Sequence, residues 1–468
     1  MNKTSQESPG FTLFAFTWAV AGLFHQLSFE SWRWYDIKGI VLTGVILLVL
    51  LKPSSWKRFA FYLIVDWIVV AWTFPYHPNH IVFSWIVNST LLTALFIAVL
   101  RDRSELNLGS RWYSIFAPWL RIELCLLYFF TVFHKLNTSY FNLDWSCAAQ
   151  MHREINEWMP LLPGARWAQS WAIYGTLIIE TAIPLLLLKG RTRLAGVILG
   201  MLFHGLLALH HHPGLYSFSS TMTALFMVFL PLNASETLLP PRRFRQVLQW
   251  GLIVFGVGVF LWIIRRWLPF ELRVEDTLEY KVKSGFVAYF AYLGLGLYWI
   301  WRNFKSLRIQ SKVSSEGRWR ASPLLIIFPL LLIVNGFGPY IGLRTQTSFS
   351  MFSNLHTENG VSNHLIVPDG IQITDWQYDL VEIVDASDPD LTAARDSNLM
   401  VVYLDLRRRR SGGSSDFWVK FHRKGRTEIF DSARPETHSS IPSIGLLARR
   451  YFYFRPVEKD PLNVRCKH

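Results

Sequence analysis

Residues 129–146 read FFTVFHKLNTSYFNLDWS, so Lys135 ends a long apolar run and is followed by Asn137, Asp144 and Trp145. An amine in this place supports two chemistries. At the water interface it is an anchor, with its stem in lipid and its charge among headgroups. Kept from water, it is a general base. Other groups able to handle protons or hydrogen bonds are Asn79 and His80 in YHPNH, His204 in LFHGLL, and the tract His210–His212. Each also has a plain reading: loop polarity for Asn79 and His80, a hydrogen-bonded structural histidine for His204. Adjacent histidines at a helix end point in different directions, so no metal site is expected from the tract.

A lysine in water has a pKa of about 10.4 and is useless as a base near neutrality. Desolvation disfavours the ammonium and lowers that value by up to about 3–5 units. Phe129, Phe130, Phe133, Tyr140 and Trp145 are the expected walls, and no acid but Asp144 lies close in sequence. A free amine matched to the working pH is what general-base catalysis requires. Ionisable groups at membrane depth cost roughly 2.5–3.5 kcal/mol each and are functional candidates by default. Arg121 and Glu123 in WLRIELCL and Glu180 in LIIETAIP are such groups. Arg121 precedes Lys135 by 14 residues, about 21 Å along a helix. It therefore falls in the inner half, and Arg121 and Glu180 are both read as structural.

The elements that must position these groups follow from composition. Of 468 residues, 51% are hydrophobic and only 17% charged, against about a quarter charged in soluble domains. This predicts an all-α polytopic membrane bundle. Eleven segments approach the roughly 20 apolar residues of a span: 11–29, 38–52, 59–75, 81–100, 113–134, 168–188, 194–210, 216–232, 247–264, 285–301 and 323–343. With the N-terminus inside, the inner connections carry 18 Lys and Arg and the outer ones 9, the cytoplasmic-face bias of membrane proteins. The net charge of +14 has its source there, and nucleic acid is not an expected partner. The expected location is the cell (inner) membrane, multi-pass, N-terminus cytoplasmic.

Residues 1–343 thus form the membrane domain. Over 344–468 the apolar runs shorten, and HLIVP, DLVEIVDA, LMVVYLDLRR, DFWVKFHR and YFYFRPV alternate with turn signals. This predicts a small β-rich (α+β) extracytoplasmic domain. Cys147 and Cys466 fall on the same outer side, where one disulfide is open to them. MNKTSQESPG lacks the apolar region and cleavage site of a removable signal peptide.

Four stretches, in order, resemble the vitamin K-dependent γ-glutamyl carboxylases and their bacterial relatives, the horizontally transferred transmembrane domain proteins. HPNHIVFSWIVNSTLLT is similar to the family's Asn-His segment, and YFFTVFHKLN with DW to its Lys-Leu-Asp and Asp-Trp run. GMLFHGLLALHHHPGLYSFSSTM, with Phe218–Ser219, is similar to its Phe-His segment. NGFGPYIGLRTQTSFSMFSNLHTENGVSNHL is similar to the join between the last helix and the outer domain. The resemblance implies that Lys135 is the base toward a reduced naphthoquinone, a vitamin K hydroquinone-like cofactor. It further implies His80 beside the reacting ring, and Asn79, His204, Asn137 and Trp145 around it. O2 would be co-substrate. Where carboxylation follows, CO2 and a peptide or protein glutamate on the outer face would take part. Asn137 replaces the family's aspartate, SYFNL separates Thr138 from Asp144–Trp145, and the outer domain is far shorter than that of the animal enzymes. The quinol reaction therefore carries over better than carboxylation. Two other classes stay open: a haem-bearing quinol electron-transfer protein using His25, His134 and His204, and a non-enzymatic transport or assembly protein with a partner-binding outer domain.

Overall fold

The computed structural model describes residues 8–28, 37–75, 77–101, 107–160, 162–231, 246, 249, 253, 277–313, 322–412, 416–460 and 464–466. The membrane half is built from α1 (Pro9–Ser28), α2 (Ile37–Leu51), α3 (Trp56–Thr73), α4 (Asn79–Arg101) and α5 (Leu108–Lys135). Short α6 (Thr138–Phe141) and α7 (Cys147–Trp158) follow. Then come α8 (Arg166–Leu188), α9 (Arg193–Leu207), α10 (Pro213–Met227), α11 (Thr277–Arg302), α12 (Phe304–Val313) and α13 (Ile327–Phe337). Among the described residues, α1, α4, α5 and α8 are long and apolar enough to cross a membrane. The expected span at 247–264 lies outside the described residues.

Helix α1 is buried along nearly its whole length and packs against α10 at the centre of the bundle. Helix α8 does the reverse. Trp167, Trp171, Tyr174, Ile178 and Leu185 form an exposed apolar stripe, a surface suited to lipid because a helix pairs most of its backbone groups internally. Exposed Phe61, Ile68 and Trp72 extend that character to α3.

The C-terminal part is a five-stranded antiparallel sheet in the order β4-β3-β1-β2-β5, built from β1 (Leu380–Ala386), β2 (Leu399–Val402), β3 (Trp418–Arg423), β4 (Arg426–Asp431) and β5 (Val457–Glu458). Val381, Ile383, Val419 and Phe421 fill its core. Lys424 and Gly425, both at positive φ, make the two-residue hairpin turn between β3 and β4. Three expected strands differ. YFYFRPV enters the sheet only at Val457, the first residue of β5. HLIVP contributes only an isolated bridge, Asn137 with His364. LMVVYLDLRR leaves the sheet after Val402 and becomes α15 (Tyr403–Gly412), after α14 (Pro389–Asp396). Asp405 in its first turn binds Arg408 at 2.7 Å and Arg409 at 2.9 Å, helix-spaced pairs that a strand cannot make.

The two halves are joined by asparagines. Asn137 Nδ2 donates to the carbonyls of His134 (2.8 Å) and Ser353 (2.5 Å), while its Oδ1 caps α6 by accepting from Tyr140 N at 2.8 Å. Asn363 Nδ2 donates to Asn354 O at 2.8 Å, and Asn354 Nδ2 to Trp145 O at 2.9 Å. Cys147 and Cys466 form a disulfide across the same junction. Burial holds the His364 imidazole below its usual range. It donates from Nε2 to Phe133 O and accepts Val367 N–H at Nδ1.

These bonds make a carboxylate the wrong group at position 137. Asn137→Asp loses both donors and turns an anion toward two carbonyl oxygens, a cost of about 3 kcal/mol. The buried carboxyl has a folded-state pKa above its unfolded value. Its penalty is therefore largest well above that range and shrinks as pH falls and a donor is regained. Thermal unfolding in detergent checks this; an equal loss at pH of about 5 and about 8 would refute it.

Candidate functional site

A cavity of about 390 Å³ lies where the helices meet the C-terminal part, walled by α4, α5, α6, α7, α8, α9, α10 and the segment 349–352. Lys135, Asn79, His80 and His204 all line it, delivered by three separate helices, α5, α4 and α9. Helix α5 ends at Lys135, and the side chain turns back down the helix, as Cα–Cβ bonds in helices do. Its Nζ donates to Thr131 O at 3.2 Å and to Glu180 Oε1 and Oε2 at 2.9 and 2.7 Å. Lys135 is 5% exposed and Glu180 7%.

This corrects two expectations. Glu180 is not a bystander in the inner half but the partner of the lysine, and it lines the same cavity. A carboxylate at this distance stabilises the ammonium, so the geometry offers a charge pair and not a free amine. An ammonium has three N–H donors, and here all three have acceptors. A carboxylate has about four lone-pair directions. The pair's spare capacity to accept a hydrogen bond therefore sits on Glu180.

The imidazoles are held from behind. His204 Nε2 meets Tyr128 Oη at 2.9 Å, its carbonyl accepts from Ser219 Oγ at 2.9 Å, and its Nδ1 has no partner among the described residues. His80 reaches Ser217 Oγ at 3.4 Å, and Ser217 also binds His25 Nδ1, so the hydroxyl bridges two rings 5.2 Å apart. The Phe218 ring lies edge-on to His204 at 5.0 Å and tilted to His80 at 5.8 Å.

Asn79 works as a tie. Its Oδ1 accepts Phe349 N–H at 2.6 Å, fixing the roof segment. Thr347, Phe349, Phe352 and Asn354 all adopt positive φ between 55° and 64°, a strained conformation for residues with a Cβ. Asn335 Nδ2 donates to Thr347 O, and Asn137 Nδ2 to Ser353 O. Three asparagines, two on helices and Asn137 at the N-cap of α6, thus hold the roof against its own backbone preference.

Asn137 and Trp145 do not line the cavity: the first is spent on backbone bonds, and the second contributes its carbonyl to Asn354. Of the expected aromatic walls only Tyr140 lines it. Phe129 is 49% exposed, while Phe130 and Phe133 pack against Phe337. The apolar lining comes instead from residues such as Phe203, Phe218, Phe349 and Met351. His134, one of the imidazoles open to haem, has Nδ1 bound to Tyr340 Oη and Nε2 to Ser348 O. His210 is paired with Glu154, and His212 caps α10 by accepting Gly214 N–H. Comparison with protein-family models, curated proteins and solved structures yields no match.

Breaking one side of a buried ion pair strands the other charge at about 3–5 kcal/mol, whereas an apolar replacement of both is close to neutral. Lys135→Ala and Glu180→Ala are each expected to lower thermal stability by that amount, and Lys135→Met with Glu180→Leu to restore most of it. A double variant as unstable as the sum of the singles would show that the two side chains do not face each other.

Proposed function

We propose that the protein is a multi-pass membrane enzyme of the vitamin K-dependent carboxylase-like type, in which Lys135 and Glu180 together take a proton from a membrane quinol. The observation that carries this reading is the convergence of an amine, a carboxylate and two imidazoles on one apolar cavity. Ligand sites are typically of this kind: mostly apolar, with a few convergent polar groups.

A reduced naphthoquinone fits the cavity's chemistry, being a flat apolar ring with a hydroxyl at each end. Bound there, it supplies the electrons for reaction with O2. Everything else is the work of the chain. Glu180 has the open lone pairs to accept the ligand's hydroxyl hydrogen, and Lys135 holds the compensating charge beside it. The accepted proton stays on Glu180 as the neutral acid, and the Lys135 ammonium, freed from its carboxylate, balances the oxyanion left on the ligand. His80 and His204, each tied to a hydroxyl behind it, offer a hydrogen bond to the ligand's other oxygen. Phe218 orients both rings, and the roof residues Phe349 and Phe352 exclude water, which strengthens each of these interactions. Whether carboxylation of a glutamate by CO2 follows is the finer question of acceptor.

About eleven spans, an inner N-terminus and an outer C-terminal domain complete the reading. The Cys147–Cys466 disulfide favours this orientation, since such bonds persist on the oxidising side of a membrane.

Purified protein given reduced naphthoquinone and O2 is expected to form the epoxide. The folded double variant Lys135→Met/Glu180→Leu should lose at least about 100-fold, the low end of general acid–base catalysis. Lys135→Arg should fail as well, because the larger planar guanidinium engages Glu180 as a rigid fork and does not reproduce the compact ammonium's geometry. Full turnover in the Arg variant would remove the lysine from the chemistry.

A further inference from the structure

The cavity has a wall with a gap in it. Gly175 lines the cavity, and a Cβ built on it would meet nothing within 4 Å. Glycine in a helix interior costs about 1 kcal/mol relative to alanine, and close packing is its usual compensation in membrane helices. Here no neighbour approaches, so the glycine leaves space and does not admit a partner. By contrast, Gly200 and Gly205, on α9, lie against Phe226 and Leu293 and have the packing reason that Gly175 lacks.

The surroundings say where the space leads. Trp167 and Trp171 line the cavity yet are 60% and 66% exposed. Both belong to the lipid-suited stripe of α8. Across from them Leu206 of α9 also lines the cavity and is 41% exposed. Side chains that touch both the cavity and the apolar outer surface mark an opening between the two. Glu180 lies five residues further along α8 from Gly175, so the charged end of the cavity and the gap share one helix wall.

We infer that the Gly175 gap, framed by Trp171 and Leu206, is a lateral portal through which the hydrocarbon tail of a lipid substrate leaves the cavity for the bilayer. Its ligand class is an amphiphile: a polar, proton-donating ring held at Lys135 and Glu180, and a chain too long for the cavity. This rests on the quinol reading for the ring, but not for the chain.

Gly175→Trp tests it, since a Cβ at this position meets no neighbour within 4 Å and a large side chain can be projected into the gap. In nanodiscs, binding of a naphthoquinone with a long isoprenoid tail is compared with that of the tail-less ring. The substitution is expected to weaken the tailed ligand at least 10-fold and the tail-less one less than 2-fold, with Gly175→Ala near wild type and melting temperatures unchanged. Equal effects on both ligands, or on neither, would overturn the portal. A second probe, a fatty alcohol with a terminal diazirine and no ring, separates the portal from the quinol reading. Labelling of 171–179 and 203–206 that Gly175→Trp abolishes upholds the portal whichever ring the cavity holds. Labelling that is absent in the wild type, or unchanged in the variant, sinks it.

Discussion

Two opposite charges buried side by side set the terms for the rest of this structure. Taking an ammonium and a carboxylate out of water costs several kcal/mol per ion after relaxation, and mutual attraction offsets this only when geometry and hydrogen bonding are good. Lys135 and Glu180 meet both conditions, at 2.7 Å and with the third ammonium proton given to Thr131 O. The requirement reaches outward from there. The outer end of α5 must sit against the middle of α8, which means that α8 must begin well beyond α5's last turn. Helices α6 and α7, with the chain that joins them, span that offset, and the Cys147–Cys466 disulfide pins them to the outer domain.

The outer domain is a structural part of the cavity and not an appendage. Its first segment closes the cavity with Phe349, Met351 and Phe352 in a backbone conformation that side chains disfavour. Left-handed residues cost of order 1 kcal/mol or more each and persist only where the surroundings over-determine them. Asn79, Asn137 and Asn335 supply that determination, each from the membrane half and each to a backbone group of the roof or its flank. An amide suits the task because it donates and accepts at fixed angles while adding no charge to a dry site.

Much of this was legible in the sequence, and the failures share a cause. Helix positions followed from apolar length, and the gathering of Lys135, His80 and His204 at one level followed from counting spans. Depth along a single helix, however, does not fix neighbours between helices. Glu180, judged by its depth alone, reads as a structural ion, because nothing along α8 shows which helix it faces. The Lys135 side chain runs back toward the N-terminus of α5, closing the distance between them. The lone carboxylate in LIIETAIP was signal enough, since a membrane helix seldom carries one without a use. Asn137 misled for the opposite reason: beside a lysine it reads as part of the site, yet every polar atom of its side chain is committed to backbone. In the outer domain, local β character in LMVVYLDLRR gave way to Asp405 pairing with arginines one turn on. Contacts distant in sequence decided Glu180 and Asn137, whereas pairs within one helical turn decided the segment after Val402.

A paired base and a lone one ask different things of a membrane protein. A lone neutral amine is easy to bury but must be kept neutral by dryness alone, so any water that follows the ligand in would protonate it. A pair stays balanced whichever partner holds the proton and tolerates an imperfect seal. With every N–H of Lys135 already bonded, an incoming hydroxyl can only address the free lone pairs of Glu180. Each bond it forms there competes with the ammonium and loosens the carboxylate's hold on it. On the proposed reading, the ligand itself would thereby make the pair more reactive.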